Sequence, residues 1–277
     1  ERLKDGFTLY PVPMVVGAAG EAMAYRIGEA MAGELAAVGI NMNLAPVADL
    51  ETNPDNPIIS RRTFGSDPAL VGGVVAEMVR GMQSQNVLAT VKHFPGHGET
   101  GDDSHAVLQT LALDRERLDA IELPPFQSAI DAGAAAVMVA HIHFAALDPD
   151  QRLPASLSPN VITGLLRGEM GYDGLVMTDA LDMNAVDMEF EFTRAAIMAV
   201  QAGVDLLALG PSIGPDVAIR TMQAVLDAVT SGEVSEERLN ESVTRILRAK
   251  QQFGLMDWTP LEPASAAARV NAEAHVQ

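Results

Sequence analysis

The 277-residue sequence predicts a parallel α/β fold, a (β/α)8 barrel of which about five strand–helix units are present. Two observations carry that reading. Short apolar runs of strand length alternate with helical stripes, the pattern of parallel strands joined by crossover helices. Polar residues recur at the C-terminal ends of those runs: Asp49, Lys92 with His93, His141 and Asp179. A barrel gathers functional side chains around that rim, strand after strand, whereas a doubly wound sheet concentrates them at one switch point. No G-x-G-x-x-G follows any run, which weighs further against the open sheet.

The elements follow in order. Met23, Ile27, Met31, Leu35 and Val38 form a stripe at helical spacing that Gly39 stops. INMNLAPVADL, residues 40–50, is the first strand. Asp67 before Pro68 supplies an N-cap and a first-turn proline for a helix through Leu70, Val71, Val74, Val75, Met78 and Met82. LATVKHF at 88–94 and AAVMVAHIHF at 135–144 are the next strands. Ser158 and Pro159 repeat the cap before Val161, Ile162, Leu165 and Leu166. GLVMTDAL at 174–181 and VDLLALG at 204–210 complete the strands. Ser235 caps a last long helix through Leu239, Val243, Ile246 and Leu247, ended by Gly254. The runs are apolar almost throughout rather than alternating, as strands buried on both faces are.

A closed barrel needs eight units. Either the N-terminal ones are absent from this chain or the strand reading is incomplete, since the residues before 40 offer a helix and little strand. The barrel domain is placed at 1–254, with a tail or the start of a linker at 255–277.

Hydrophobic residues make up 48% and aromatics 4%, so Ala, Val, Leu, Ile and Met must fill the core. Lys and Arg total 18 against 37 Asp and Glu, a net charge of −19 that disfavours nucleic acid and anionic membrane as partners. With no cysteine, disulfide and thiolate chemistry are excluded, but the compartment is not fixed. No apolar run approaches the roughly 20 residues needed to span a bilayer. The chain starts at Glu1 rather than Met, which leaves room for a leader or a longer N-terminal portion.

The chemistry concentrates in KHFPGHGETGDDSH, residues 92–105. His93 and His97 have the i, i+4 spacing of two metal ligands on a helix, but Pro95 and Gly96 between them would break that helix. No H-E-x-x-H is present, so neither metal nor other cofactor is expected. Asp103 lies two residues before His105, where a turn can set the carboxylate on one ring nitrogen and leave the other to exchange a proton. Taken alone, this pair reads equally as a turn aspartate and an exposed loop histidine. Asp179, however, ends an apolar strand, where an ionised carboxylate needs a role or a partner. A carboxylate nucleophile and a separate proton donor are the minimal equipment for double-displacement glycoside hydrolysis. Lys92 and His93 sit beside each other at the rim, where they can hydrogen-bond sugar hydroxyls.

These residues match the signature K-H-F-P-G-H-G-x4-D-S-H, and the sequence resembles family 3 glycoside hydrolases of the β-N-acetylglucosaminidase type. The resemblance extends through GINMNLAPVADLETNPDNPIISRRTFGSDP, VMVAHIHFAALD, PASLS, LLRGEMGYDGLVMTDALDM and AGVDLLALG. It implies that Asp179 attacks the anomeric carbon while His105, partnered by Asp103, acts as acid/base. Lys92, His93 and Arg62 align with residues that bind the N-acetylglucosamine ring, and His141 joins them as a substrate-binding candidate. ERLKDGFT resembles the segment following the family's D-Q-E-G-G motif, which makes Arg2 a further sugar contact. On that alignment three strands precede Glu1, and the 277 residues alone, with open sheet edges, are expected to be poorly soluble or inactive. The end of the chain resembles the linker into a second domain. The loop carrying the dyad is expected to be mobile, with Gly98 and Gly101 allowing it. Glu189 and Glu191 receive no role.

The implied substrate is a small carbohydrate, a muropeptide or a chitin oligosaccharide; the oligomeric state is left open. An N-acetylglucosaminide phosphorylase is the alternative enzyme, because an imidazole acid/base adds no negative charge to repel phosphate. A sugar-binding fragment without catalysis is the alternative outside enzymes. A β-glucosidase would normally lack the D-S-H loop.

Overall fold

The computed structural model describes residues 5–101, 108–183, 186, 189–257, 259, 262–272 and 275. Its centre is a parallel sheet in which β1 (Met42–Asn43), β2 (Leu88–Phe94), β4 (Ala136–Val139) and β6 (Leu175–Thr178) lie side by side in that order. The remaining strands, β3 (Gln109–Leu111) and β5 (Ile142–Phe144), form a parallel pair of their own. Beyond β6 the chain returns at Leu206, which bridges Met177 in parallel. The main sheet thus adds neighbours in chain order without reversal, and its two edges do not meet among the described residues. Nearly every position of β2, β4 and β6 is buried, as their continuous apolar runs require.

Four of the five predicted strands are shorter than their apolar runs, 174–181 keeping only Leu175–Thr178. Residues 40–50 keep ladder geometry only at Met42–Asn43. Pro46 has no N–H to give, and the chain rejoins the sheet as a single bridge between Val47 and Lys92. Residues 135–144 break after Val139, and the second half turns away from the main sheet to pair with β3. The three residues of β3 are too few for periodicity to reveal. Residues 204–210 lie at a sheet edge with a partner on one side, and only the Leu206 bridge forms among them.

Helices α1 (Pro13–Ala19), α2 (Glu21–Ala37) and α3 (Pro68–Ser84) precede β2. The Asp67 carboxylate accepts from the Leu70 N–H at 2.8 Å, the expected cap of α3. Helices α2 and α3 cross at backbone contact: a Cβ on Gly81 would lie 2.2 Å from the Tyr25 carbonyl oxygen. The predicted stripe of α2 is buried only in its middle. Met23 and Val38 are exposed, while Ala24, Ile27, Gly28 and Ala32 face α3 and Glu34 is buried among polar partners. Its carboxylate accepts from Thr8 Oγ1 at 2.5 Å, the Asn271 N–H at 2.7 Å and His275 Nδ1 at 2.9 Å. This single acid thereby ties both ends of the described chain to α2.

Further along come α4 (Pro124–Asp131), α5 (Asn160–Glu169, closed by i→i+5 hydrogen bonds), α6 (Phe192–Ala202), α7 (Pro215–Thr230), α8 (Glu236–Gln252) and α9 (Pro263–Arg269). Ser235 caps α8 through the Arg238 N–H, and Gly254 follows its end with positive φ. The predicted stripe on α8 is corrected: Val243 and Leu247 are exposed. Arg238, Ser242 and Arg245 instead face the fully buried Asp205 carboxylate, at 3.3, 2.6 and 3.5 Å. Arg167 of α5 reaches the same carboxylate at 2.7 Å, as does the Val176 N–H of β6 at 3.0 Å. The expected stripe of α5, Val161, Ile162, Leu165 and Leu166, is buried, and Arg167 adds a polar contact to it; on α8 polar docking around the same acid stands where an apolar stripe was expected.

Candidate active site

The rim side chains are set by what surrounds the end of β2. Asp49, 1% exposed, is fixed by the segment following β1. Its Oδ1 accepts from the His97 N–H at 2.8 Å and the His93 N–H at 3.2 Å, and Oδ2 meets His93 Nδ1 at 2.7 Å. The other ring nitrogen of His93, Nε2, faces Arg62 Nη2 at 3.2 Å and Asp179 Oδ2 at 4.0 Å. Two histidines 5.5 Å apart between ring centroids thus surround one buried acid. Burial raises the Asp49 carboxyl, but the charge His93 carries when protonated, its hydrogen bond, and the charge His97 carries when protonated with the His97 N–H bring it below its ordinary value.

Asp179 directly follows β6, and its N–H donates to the Val139 carbonyl oxygen at 3.1 Å, which fixes the residue to the end of β4. Its Oδ1 accepts from the Ala180 N–H at 2.8 Å. Burial raises this carboxyl too. The charges that His93 and His141 carry when protonated, the Ala180 N–H and Lys92 outweigh it and hold the group below the usual carboxylate value. Lys92 is pushed down to about 8 by burial and by Arg62, against the opposing pull of Asp179 and Asp49. An ionised carboxylate, two neighbouring cations and an imidazole therefore share one rim.

His141 lies between β4 and β5 with both ring nitrogens engaged by protein. Nε2 donates to the Ala180 carbonyl oxygen at 3.0 Å, and Nδ1 meets Ser156 Oγ at 2.6 Å. Of the other predicted site residues, Arg2, Asp103 and His105 lie outside the described residues. Among the described residues no three carboxylates and imidazoles group as a metal cluster.

The loop approaching the D-S-H segment is anchored rather than loosened by Gly98. A Cβ there would lie 2.0 Å from the Leu50 carbonyl oxygen, so the glycine serves close backbone approach. Asn56 donates to the carbonyl oxygens of His97 and Gly98, both at 2.9 Å, and to Thr100 Oγ1 at 3.0 Å. Arg117 joins Glu99 at 2.7 Å to the buried Glu122 at 3.2 Å. On the far side of the segment Arg152 donates to the Leu108 carbonyl oxygen at 2.6 Å and pairs with Glu189 at 2.7 Å. Glu191 is the N-cap of α6, accepting from the Arg194 N–H at 2.9 Å.

Sequence reading placed Asp49 on the rim but assigned it no role. Asn56, Arg117 and Arg152 were passed over altogether. The signal for Asp49 was present, a lone acid ending an apolar run. The others join segments far apart in sequence: Asn56 reaches His97 41 residues on, Arg117 reaches Glu99 18 residues back, and Arg152 reaches Leu108 44 residues back.

Over residues 1–249 the sequence matches the glycosyl hydrolase family 3 N-terminal domain. Beta-hexosaminidase A of Pseudoalteromonas piscicida is 34% identical over 248 residues, covering 84% of this chain and 42% of that protein. The structure of a glycoside hydrolase family 3 beta-N-acetylglucosaminidase from Paenibacillus sp. str. FPU-7 superposes with a TM-score of 0.90 at 47% identity, covering 94% of this chain and 49% of that one. A beta-glucoside phosphorylase superposes with a TM-score of 0.90 at 31% identity, covering 98% of this chain and 50% of the other. The chain spans about half the length of the relatives it matches. Matched over most of its length, it belongs to glycosyl hydrolase family 3.

Proposed function

We propose that the protein is a retaining exo-β-N-acetylglucosaminidase releasing terminal β-linked N-acetylglucosamine from a small carbohydrate, a muropeptide or a chitin oligosaccharide. The observation that carries the proposal is the Asp179 carboxylate. It is kept ionised at the end of a buried strand, with Lys92, His93 and Arg62 grouped around it. An oxocarbenium-like transition state develops positive charge beside such a carboxylate. Names of relatives support the sugar: the Pseudoalteromonas protein is a beta-hexosaminidase and the Paenibacillus structure a beta-N-acetylglucosaminidase.

In this reading the parallel sheet is an arc of a (β/α)8 barrel spanning 1–254, with 255–277 as a tail or the start of a linker. Asp179 attacks the anomeric carbon while His105, oriented by Asp103, protonates the departing oxygen. His105 then takes a proton from water, which attacks the same carbon and frees Asp179 with net retention. Lys92, His93, Arg62 and Arg2 hold the sugar ring. His141, a substrate-binding candidate from the sequence, turns both ring nitrogens to protein and in this reading holds the segment that follows Asp179.

The test is His105→Ala. Hydrolysis of substrates with poor leaving groups should collapse while activated aryl N-acetylglucosaminides keep most of their glycosylation rate, because only the former need a proton delivered. Equal losses on both classes would remove His105 from the chemistry. The 0.90 superposition with a beta-glucoside phosphorylase favours one second reading, phosphorolysis. Release of sugar 1-phosphate in phosphate buffer, in place of free sugar, would establish it.

A further inference from the structure

We propose that Asp49 is a positioning residue that sets the tautomer of His93, so that the nitrogen facing Asp179 carries a lone pair and not a proton; the functional consequence rests on Asp179 being the nucleophile. The argument is an inventory of donors and acceptors. Ionised Asp49 has no hydrogen to give, so the 2.7 Å contact with His93 Nδ1 requires the proton on Nδ1. The Arg62 guanidinium has no lone pair to offer, so at 3.2 Å from His93 Nε2 it can only donate. Both contacts are satisfied together only by the Nδ1–H imidazole.

The choice matters because of what lies beyond Nε2. Asp179 Oδ2 is 4.0 Å away. A hydrogen on Nε2 would point into the gap between the ring, Arg62 and that oxygen, where a small shift would turn it into a hydrogen bond. Such a bond would stabilise the carboxylate in the resting state and blunt it as a nucleophile. With a lone pair there, His93 instead accepts from Arg62 or from a sugar hydroxyl, and Oδ2 stays unclaimed by this ring. Asp49 can hold the tautomer because its two oxygens are distinguished by the backbone. The His97 N–H fixes Oδ1 as an acceptor at 2.8 Å, while the His93 N–H lies between the two oxygens at 3.2 and 3.3 Å, so Oδ2 is the oxygen that serves the ring.

Asp49→Asn exploits that asymmetry. The amide oxygen stays on the His97 N–H, so its NH2 group turns to His93 Nδ1 and drives the ring proton to Nε2, against Arg62. Long-range 15N–1H spectra of the 15N-histidine-labelled full-length protein read the tautomer directly, with His93→Gln identifying the signal. The wild type is expected to show His93 protonated on Nδ1 alone. Asp49→Asn is expected to move the proton to Nε2 and to lower kcat/KM on an aryl N-acetylglucosaminide by about ten- to a hundredfold, the range of one hydrogen bond to a charged group.

A wild-type His93 protonated on Nε2 or on both nitrogens overturns the proposal. So does an Asp49→Asn protein that moves the proton yet keeps full kcat/KM. If Asp49→Asn does not fold, the wild-type spectrum still decides. Should the wild type cleave no N-acetylglucosaminide at all, the enzymatic reading fails while the tautomer measurement stands on its own.

Discussion

His141 Nε2 donates to the carbonyl oxygen of Ala180 at 3.0 Å, holding the peptide that directly follows Asp179. The ring is 1% exposed and closed on its other side by Ser156. Replacing it by Phe keeps a ring in place and leaves the buried Ser156 hydroxyl and the half-buried Ala180 carbonyl oxygen without their contacts. His141→Phe should therefore lower stability by about 1–3 kcal/mol, read from denaturant unfolding. It should also lower kcat with KM little changed, because the contact holds the segment of the proposed nucleophile. A variant that loses stability while keeping kcat would show that the ring supports only the core.

Asp179→Asn removes the proposed nucleophile at constant volume. Turnover should fall by several powers of ten, towards the roughly 10⁶-fold that loss of a nucleophile costs in comparable sites. Azide should restore it on an activated substrate and yield the α-configured glycosyl azide. Because the Asp179 carboxyl is held below its ordinary value, its protonation belongs to strongly acidic solution. An acid limb of kcat/KM near neutrality must then come from another group. Near-normal turnover in the variant would sink the assignment.

The acids and bases of the rim are legible in sequence because each ends an apolar run, where a charge has no structural reason to be. Their partnerships are not. Asp49 meets His93 across 44 residues, and no spacing rule predicts which ring atom it takes. Helix α8 misleads for a related reason. Its apolar residues have the right period, yet Asp205 draws in the neighbouring polar face, because a buried acid needs donors more than the helix needs to bury Val243 and Leu247. Gly98 reads as a hinge in sequence, and only the approach of Leu50 explains it as contact.

His97 makes acid stability measurable. Burial, then the charge of His93, pushes its imidazole down to about 4 from an ordinary 6.5. Between those values the unfolded chain binds a proton that the folded protein refuses, so stability falls as pH drops from 6.5 towards 4 and levels off below. The whole step is roughly 3 kcal/mol. His97→Gln should be less stable than the parent at neutral pH, through the changed packing at Thr100, and should show a smaller loss across this window. Equal slopes in urea unfolding for the two proteins would place the acid sensitivity elsewhere.

Lys92 governs the alkaline side. Burial and Arg62 lower its ammonium to about 8, so it loses its proton through that pH while the unfolded chain keeps one until its ordinary 10.5. Over that interval the native state binds fewer protons, so this group raises stability as pH rises, and the fold does not loosen on its account. What is lost is a charged donor beside Asp179. KM should therefore climb above about pH 8 with no fall in melting temperature attributable to Lys92. Lys92→Met should bind weakly at every pH and lack that limb altogether. A KM that stays flat from about pH 7 to 9.5 in the parent protein would mean that the ammonium does not hold the sugar.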